Sequence, residues 1–114
     1  MAPPFVHRLR VRYAECDLQG VVFNAHYMTY CDEAMSSWLA EIFGPYDENF
    51  DWMLVRCELD WQGSATWGDT VDIDTGVERW GTTSFTTRFR GTVAGRPVFA
   101  ARITYVCVEP GTTT

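Results

Sequence analysis

Apolar and polar residues alternate with a period of two through most of the chain, and with a helical period once. Residues 5–13 read as a strand. Phe5, His7, Leu9, Val11 and Tyr13 share one face, and Val6, Arg8, Arg10 and Arg12 share the other. The arginine face is expected to meet solvent or a partner. From Ala25 to Phe43 the period lengthens. Tyr27, Cys31, Ala34, Trp38 and Ile42 fall at steps of four, three, four and four, forming one apolar stripe, while Asp32, Glu33, Ser36, Ser37 and Glu41 lie mostly elsewhere. Asn24 is placed to cap this helix, and Gly44-Pro45 is a stop signal.

The period of two then returns four times. Met53, Val55, Cys57, Leu59 and Trp61 mark one strand, and Val71, Ile73, Thr75 and Val77 a second. Phe85, Thr87 and Phe89 mark a third, and Phe99, Ala101, Ile103, Tyr105 and Cys107 a fourth. Gly68-Asp69, Trp80-Gly81 and Ala94-Gly95 punctuate these runs, and such short turns imply antiparallel pairing. One strand, one long helix and four strands make an α+β domain. A single sheet buries one helix best by curling around it.

The 114 residues suit one domain over 1–114 and leave no room for two. With 46% hydrophobic residues, including seven Phe, five Trp and five Tyr, the chain can fill a core. A domain of this size still buries only about 60–70% of the surface that its unfolded chain exposes, so self-association would help it.

Charge narrows the function. The net charge of −6 offers no basic excess for phosphates, which argues against a nucleic-acid partner. Cys16, Cys31, Cys57 and Cys107 form no CxxC pair, and the two His are not spaced beside them as ligands. No metal site is expected, and the thiols read as reduced and mostly buried. The first residues have no charged stretch leading into an apolar one, so no signal peptide is expected. No apolar run approaches the ~18 residues of a membrane span. A cytoplasmic location follows by default.

The chemistry concentrates between Tyr13 and Tyr27. A carboxylate, Asp17, stands in a turn; Gly20 follows three residues later, and the helix opens about four residues beyond. The first N–H groups of a helix lack internal partners and carry partial positive charge, so they can hold charge developing on a carbonyl oxygen. Spacing alone favours the plainer reading of Asp17 as a turn or capping residue.

The same stretch resembles the 4-hydroxybenzoyl-CoA thioesterase family of hotdog-fold enzymes, which includes the Tol–Pal-associated type. The family pattern Asp-x-x-Gly-x-Val-x-x-x-x-Tyr is met by Asp17, Gly20, Val22 and Tyr27. Gly68-Asp69-Thr70-Val71 is similar to the family's Gly-Asp pair opening a later strand, and Thr83-Ser84-Phe85 to its Ser after a strand turn. The likeness spans about residues 6–108. It implies a hotdog fold, one long helix wrapped by a curved antiparallel sheet of about five strands. It implies hydrolysis of an acyl thioester, with Asp17 as nucleophile or general base and the Asn24 main-chain N–H polarising the carbonyl. Gly20 would shape the turn, Phe23 and Tyr27 would wall the acyl group, and Ser84 would meet substrate. No cofactor is implied beyond coenzyme A as part of the substrate. Homodimers with sites between subunits, often paired into homotetramers, are implied as well.

The helix departs from the family at Glu33-Ala34-Met35, where many relatives carry Arg after Glu-x-x or Glu-x-Ala. Asn24 stands where some relatives carry His, and its side chain cannot act as a base. His26 and Cys16 are weaker candidates; a thiol beside a carboxylate has its pKa raised. Trp52, Trp61, Trp67 and Trp80 are more simply placed in the core or between subunits than along a ligand groove, and Arg88 and Arg90 on a solvated strand face. Two other classes compete: a non-catalytic acyl-thioester binder, and a dehydratase, whose reaction needs a His paired with an acid.

Overall fold

The computed structural model describes residues 5–43 and 51–108. The Gly44-Pro45 stop and the Gly-Thr-Thr-Thr tail lie outside the described residues. The elements are β1 (Phe5–Arg10), a single 3-10 turn (Tyr13–Glu15), α1 (His26–Phe43), β2 (Asp51–Trp61), β3 (Thr70–Trp80), β4 (Ser84–Val93) and β5 (Arg96–Val108). The five strands form one sheet in the order β1-β3-β4-β5-β2, and every neighbouring pair is antiparallel. The expected order of one strand, one helix and four strands is the observed one.

The period of two places the core. Val71, Ile73 and Thr75 of β3, Phe85, Thr87 and Phe89 of β4, and Ala101, Ile103 and Tyr105 of β5 are buried, while their alternates face outward. Against this face lies α1 through Tyr27, Tyr30, Cys31, Ala34 and Met35. Cys31 and Ala34 are fully buried, and their small side chains let the helix approach closely. Burial fades along α1, so Trp38 is half-buried and Ile42, expected on the buried stripe, is exposed. Tyr30 and Met35 flank the stripe and complete the buried face. Each fully buried side chain of this kind contributes on the order of 1.5–3 kcal/mol.

One strand end and the burial of the cysteines differ from expectation. β1 ends at Arg10, not Tyr13, because the chain leaves the ladder there. Val11 N–H donates to the Asp69 carbonyl at 2.8 Å, Gly68 N–H donates to the Val11 carbonyl at 3.1 Å, and the next residues enter the 3-10 turn. The cysteines also depart from expectation: only Cys31 is buried, Cys16 and Cys57 are half-buried, and Cys107 is exposed. Burial pushes the Cys31 thiol up, with Cys57 and Asp32 adding to the shift.

β4 and β5 join through Ala94 and Gly95, flanked by the pair Val93 and Arg96. Both turn residues have positive φ, 50° and 80°. Gly adopts this region freely, whereas an L side chain there costs about 1–2 kcal/mol. Asn is the residue such a two-residue turn favours at its first position. Ala94→Asn is therefore expected to stabilise the protein by about 0.5–1 kcal/mol, read as a higher urea midpoint at unchanged slope.

Candidate active site

The stretch that carries Asp17 folds into a small hairpin. Cys16 and Val22 form an isolated antiparallel bridge, Asp17 N–H donates to the Val21 carbonyl at 2.9 Å, and Phe23 N–H donates to the Glu15 carbonyl at 2.9 Å. Gly20 N–H closes the turn on the Asp17 carbonyl at 3.0 Å, with Gly20 at φ +80°. Gly20 thus shapes the turn as its position suggests. The second arm is anchored in turn: Val21 bridges to Thr66, and Val22 N–H donates to the Ala65 carbonyl at 2.9 Å.

Asp17 is exposed. Its Oδ1 accepts the Gln19 N–H at 2.8 Å, which fixes the side chain over its own turn. The carboxylate lines an open hollow of about 830 Å³ together with Tyr13, Cys16, Leu18, Thr66 and Trp67. Tyr13 and Trp67 meet edge to face with centroids 5.7 Å apart. Both are largely exposed, and Leu18 is fully so. A charged oxygen therefore stands beside an aromatic pair and a bare leucine, a setting suited to an apolar group attached to a carbonyl.

Asn24 and Ala25 lead into α1. Their N–H groups carry no hydrogen bond to another described residue. The Asn24 carbonyl, by contrast, accepts from Tyr27 N–H at 3.4 Å and from Trp61 Nε1 at 3.3 Å. The Asn24 side chain is exposed and makes no capping bond among the described residues, so the expectation of an Asn24 side-chain cap is corrected. What the helix mouth offers is main-chain N–H.

The other named residues separate. Phe23 is exposed and lies edge-on to His26 at 6.0 Å. Tyr27 is buried against Phe99 at 5.2 Å, and its hydroxyl accepts the Ala65 N–H at 3.2 Å. Burial raises the Tyr27 phenol above its ordinary range. Tyr27 therefore stands behind the site, in the core. Ser84, at the start of β4, lines a different hollow of about 370 Å³ with Arg56, Arg79 and Thr104. Of the tryptophans named above, Trp61, Trp67 and Trp80 are exposed on the chain, whereas Trp52 is half-buried and packs against the core. Arg88 and Arg90 line an outer-face hollow with Glu58, Asp60, Glu78 and Arg102. Arg88 lies 3.7 Å from Asp74 and Arg102 2.7 Å from Glu78, so this face is balanced in charge. Among the described residues, no three His, Cys, Asp or Glu side chains gather as metal ligands, and no helix is long and apolar enough to cross a membrane.

Glu15 and Tyr30 were not singled out by the sequence. Glu15 is buried, and its carboxylate accepts from the Arg12 N–H at 2.8 Å, Arg12 Nη2 at 3.0 Å and the Tyr30 hydroxyl at 2.9 Å. Burial alone would raise its pKa, but these donors outweigh it and hold the carboxyl below its usual range. The available signals were the Arg12-Glu15 spacing and a Tyr set just off the apolar stripe. A lowered folded-state pKa gives stability that is full above the unfolded value, ~4.3, and lost as pH falls through the folded one. Glu15→Gln should thus be less stable than the parent near neutrality, with the gap closing below about pH 4 in acid-unfolding curves.

Comparison with known proteins bears on this geometry. A thioesterase superfamily protein from Jannaschia sp. CCS1 superposes with a TM-score of 0.89 at 29% identity, covering 96% of this chain and 84% of that one. A gentisyl-coenzyme A thioesterase shares the fold with a TM-score of 0.86 at 23% identity, over 96% of this chain and 93% of its own. So does a 1,4-dihydroxy-2-naphthoyl-CoA thioesterase from Synechocystis, with a TM-score of 0.80 at 23% identity over 93% and 82%. The curved sheet around one helix is thus the hotdog fold. The family model of the thioesterase superfamily matches residues 19–100, from the Asp17 turn through most of the sheet, and the chain belongs to that superfamily.

Proposed function

We propose that the protein hydrolyses an acyl thioester, with coenzyme A as the thiol, in the manner of the 4-hydroxybenzoyl-CoA thioesterase family. The observation that carries this reading is the Asp17 carboxylate, exposed in a hollow with apolar walls and held in a hairpin that runs directly into the N–H groups of Asn24 and Ala25, which bond to no other described residue. The N–H of Asn24 polarises the carbonyl and receives its developing charge. As a nucleophile, Asp17 forms a C–O bond to the carbonyl carbon while the C–S bond breaks and the thiolate leaves. Water then hydrolyses the resulting anhydride. As a general base, Asp17 instead takes a proton from the attacking water. Single turnover in ¹⁸O-water separates the two, since only the first route can place label in the Asp17 side chain.

Neither Asn24 nor Phe23 lines the Asp17 hollow of the single chain. We place the completion of the site at a homodimer contact. β2 is an edge strand of eleven residues with Met53, Leu54, Val55 and Trp61 exposed, and an edge of that kind invites pairing with another chain. Tetramers would pair such dimers.

Thiol release from a panel of acetyl-, octanoyl- and benzoyl-coenzyme A tests the reading. Turnover of at least one supports hydrolysis. Tight binding without turnover would favour a non-catalytic binder, and a change in enoyl absorbance without thiol release a dehydratase. Asn24→Ala is expected to lower turnover less than about tenfold, because its main-chain N–H survives, and a larger loss in the same assay would give the side chain a chemical role.

A further inference from the structure

Glu15 and Tyr30 meet inside the protein, and hydrolysis at Asp17 uses neither directly. Glu15 Oε1 accepts from both the Tyr30 hydroxyl, 2.9 Å, and the Arg12 N–H, 2.8 Å. The Glu15 main-chain carbonyl accepts the Phe23 N–H at 2.9 Å. One residue is thereby tied to both arms of the Asp17 hairpin and to the second turn of α1. Tyr30 is 1% exposed and flanked edge-on by Tyr27, so its hydroxyl is fixed by the core. Asp17 follows two residues after Glu15, with only the bridged Cys16 between.

A buried carboxylate is a poor device for stability alone, since apolar groups of similar volume often serve equally well or better. It is a good device for geometry, because a charge-assisted bond is short and directional. We propose that the Tyr30–Glu15 hydrogen bond is a positioning contact that fixes the Asp17 carboxylate relative to the first N–H groups of α1. This rests on Asp17 being the catalytic carboxylate. The two elements that must cooperate on one carbonyl, the hairpin and the helix, are joined inside the protein by this buried hydrogen bond. A displacement of about 1 Å at such a site costs up to about 100-fold in rate.

The test is a double-mutant cycle between Tyr30→Phe and Asp17→Asn, assayed with whichever of acetyl-, octanoyl- and benzoyl-coenzyme A is turned over fastest. Tyr30→Phe is expected to lower kcat about 10- to 100-fold with KM changed less than about twofold. In the Asp17→Asn background the same substitution should change the residual rate less than about twofold, because no carboxylate remains to be placed. A folded Tyr30→Phe variant with normal kcat, or an equal fold-loss in both backgrounds, overturns the positioning role. Normal hydrolysis by Asp17→Asn alone overturns instead the reading of Asp17, and the positioning role with it. Should Tyr30→Phe not fold, Glu15→Gln enters the same cycle, with the same two outcomes.

Discussion

Asp17→Asn is expected to leave a folded protein whose thioester turnover falls by about 10²–10⁴, the usual contribution of a positioned proton-transferring group. That is about 2.7–5.5 kcal/mol of barrier. The fold should be indifferent to the change. Asp17 is exposed, and its one side-chain bond among the described residues is the Gln19 N–H to Oδ1, which an Asn oxygen can accept equally well. Surface substitutions of this kind move stability by less than about 0.5 kcal/mol. The chemistry should not be indifferent, because an amide can neither attack a carbonyl nor take a proton from water. Circular dichroism and thermal melting would show an unchanged fold, and initial rates of thiol release would show the loss. A well-folded variant with turnover near that of the parent would falsify the role given to Asp17. The neighbouring Leu18, Tyr13 and Trp67 would then be reassigned to packing against a second chain.

How far the sequence led depends on what each residue encodes locally. The strands were legible because Val71-Ile73-Thr75 and Phe85-Thr87-Phe89 keep one face buried and reveal their period directly. The helix was legible from Tyr27, Cys31 and Ala34, though Ile42 carries the same spacing and is exposed. Periodicity reports a face, and only the tertiary arrangement reports where the sheet ceases to cover it. At the site, Gly20 announced its turn because a positive φ has few tenants. The burial of Tyr27 was not legible at a helix mouth, because its packing on Phe99 and its bond from the Ala65 N–H come from distant strands and loops. Glu15 was illegible because its meaning lies in Tyr30, fifteen residues away, and no local pattern links a carboxylate in a 3-10 turn to a helical hydroxyl.

Gly91→Ala should be the most damaging small substitution in the sheet. Gly91 sits opposite Phe99 in the β4–β5 ladder and is buried. A Cβ built there runs into the Phe99 ring at three of its carbons. The ring cannot simply step aside. Phe99 is fully buried, and its other side packs on Tyr27 at 5.2 Å. Overpacking of this kind costs about 1–3 kcal/mol or more, a fall in Tm on the order of 10 °C for a domain of this size. The displacement has a defined route to the site. Tyr27 accepts the Ala65 N–H, Ala65 accepts the Val22 N–H, and Val22 bridges to Cys16 beside Asp17. Turnover at a temperature where the variant remains folded should therefore also fall, by about tenfold if the hairpin moves a few tenths of an ångström. A shortened ring at position 99 should relieve both effects together. Phe99→Leu alone loses packing and costs about 1–3 kcal/mol, but combined with Gly91→Ala it should cost less than the sum of the two single changes. Strict additivity in the melting temperatures of the three variants would mean that the added methyl is accommodated by backbone movement of β4, and that the path from the sheet to Asp17 does not pass through Phe99.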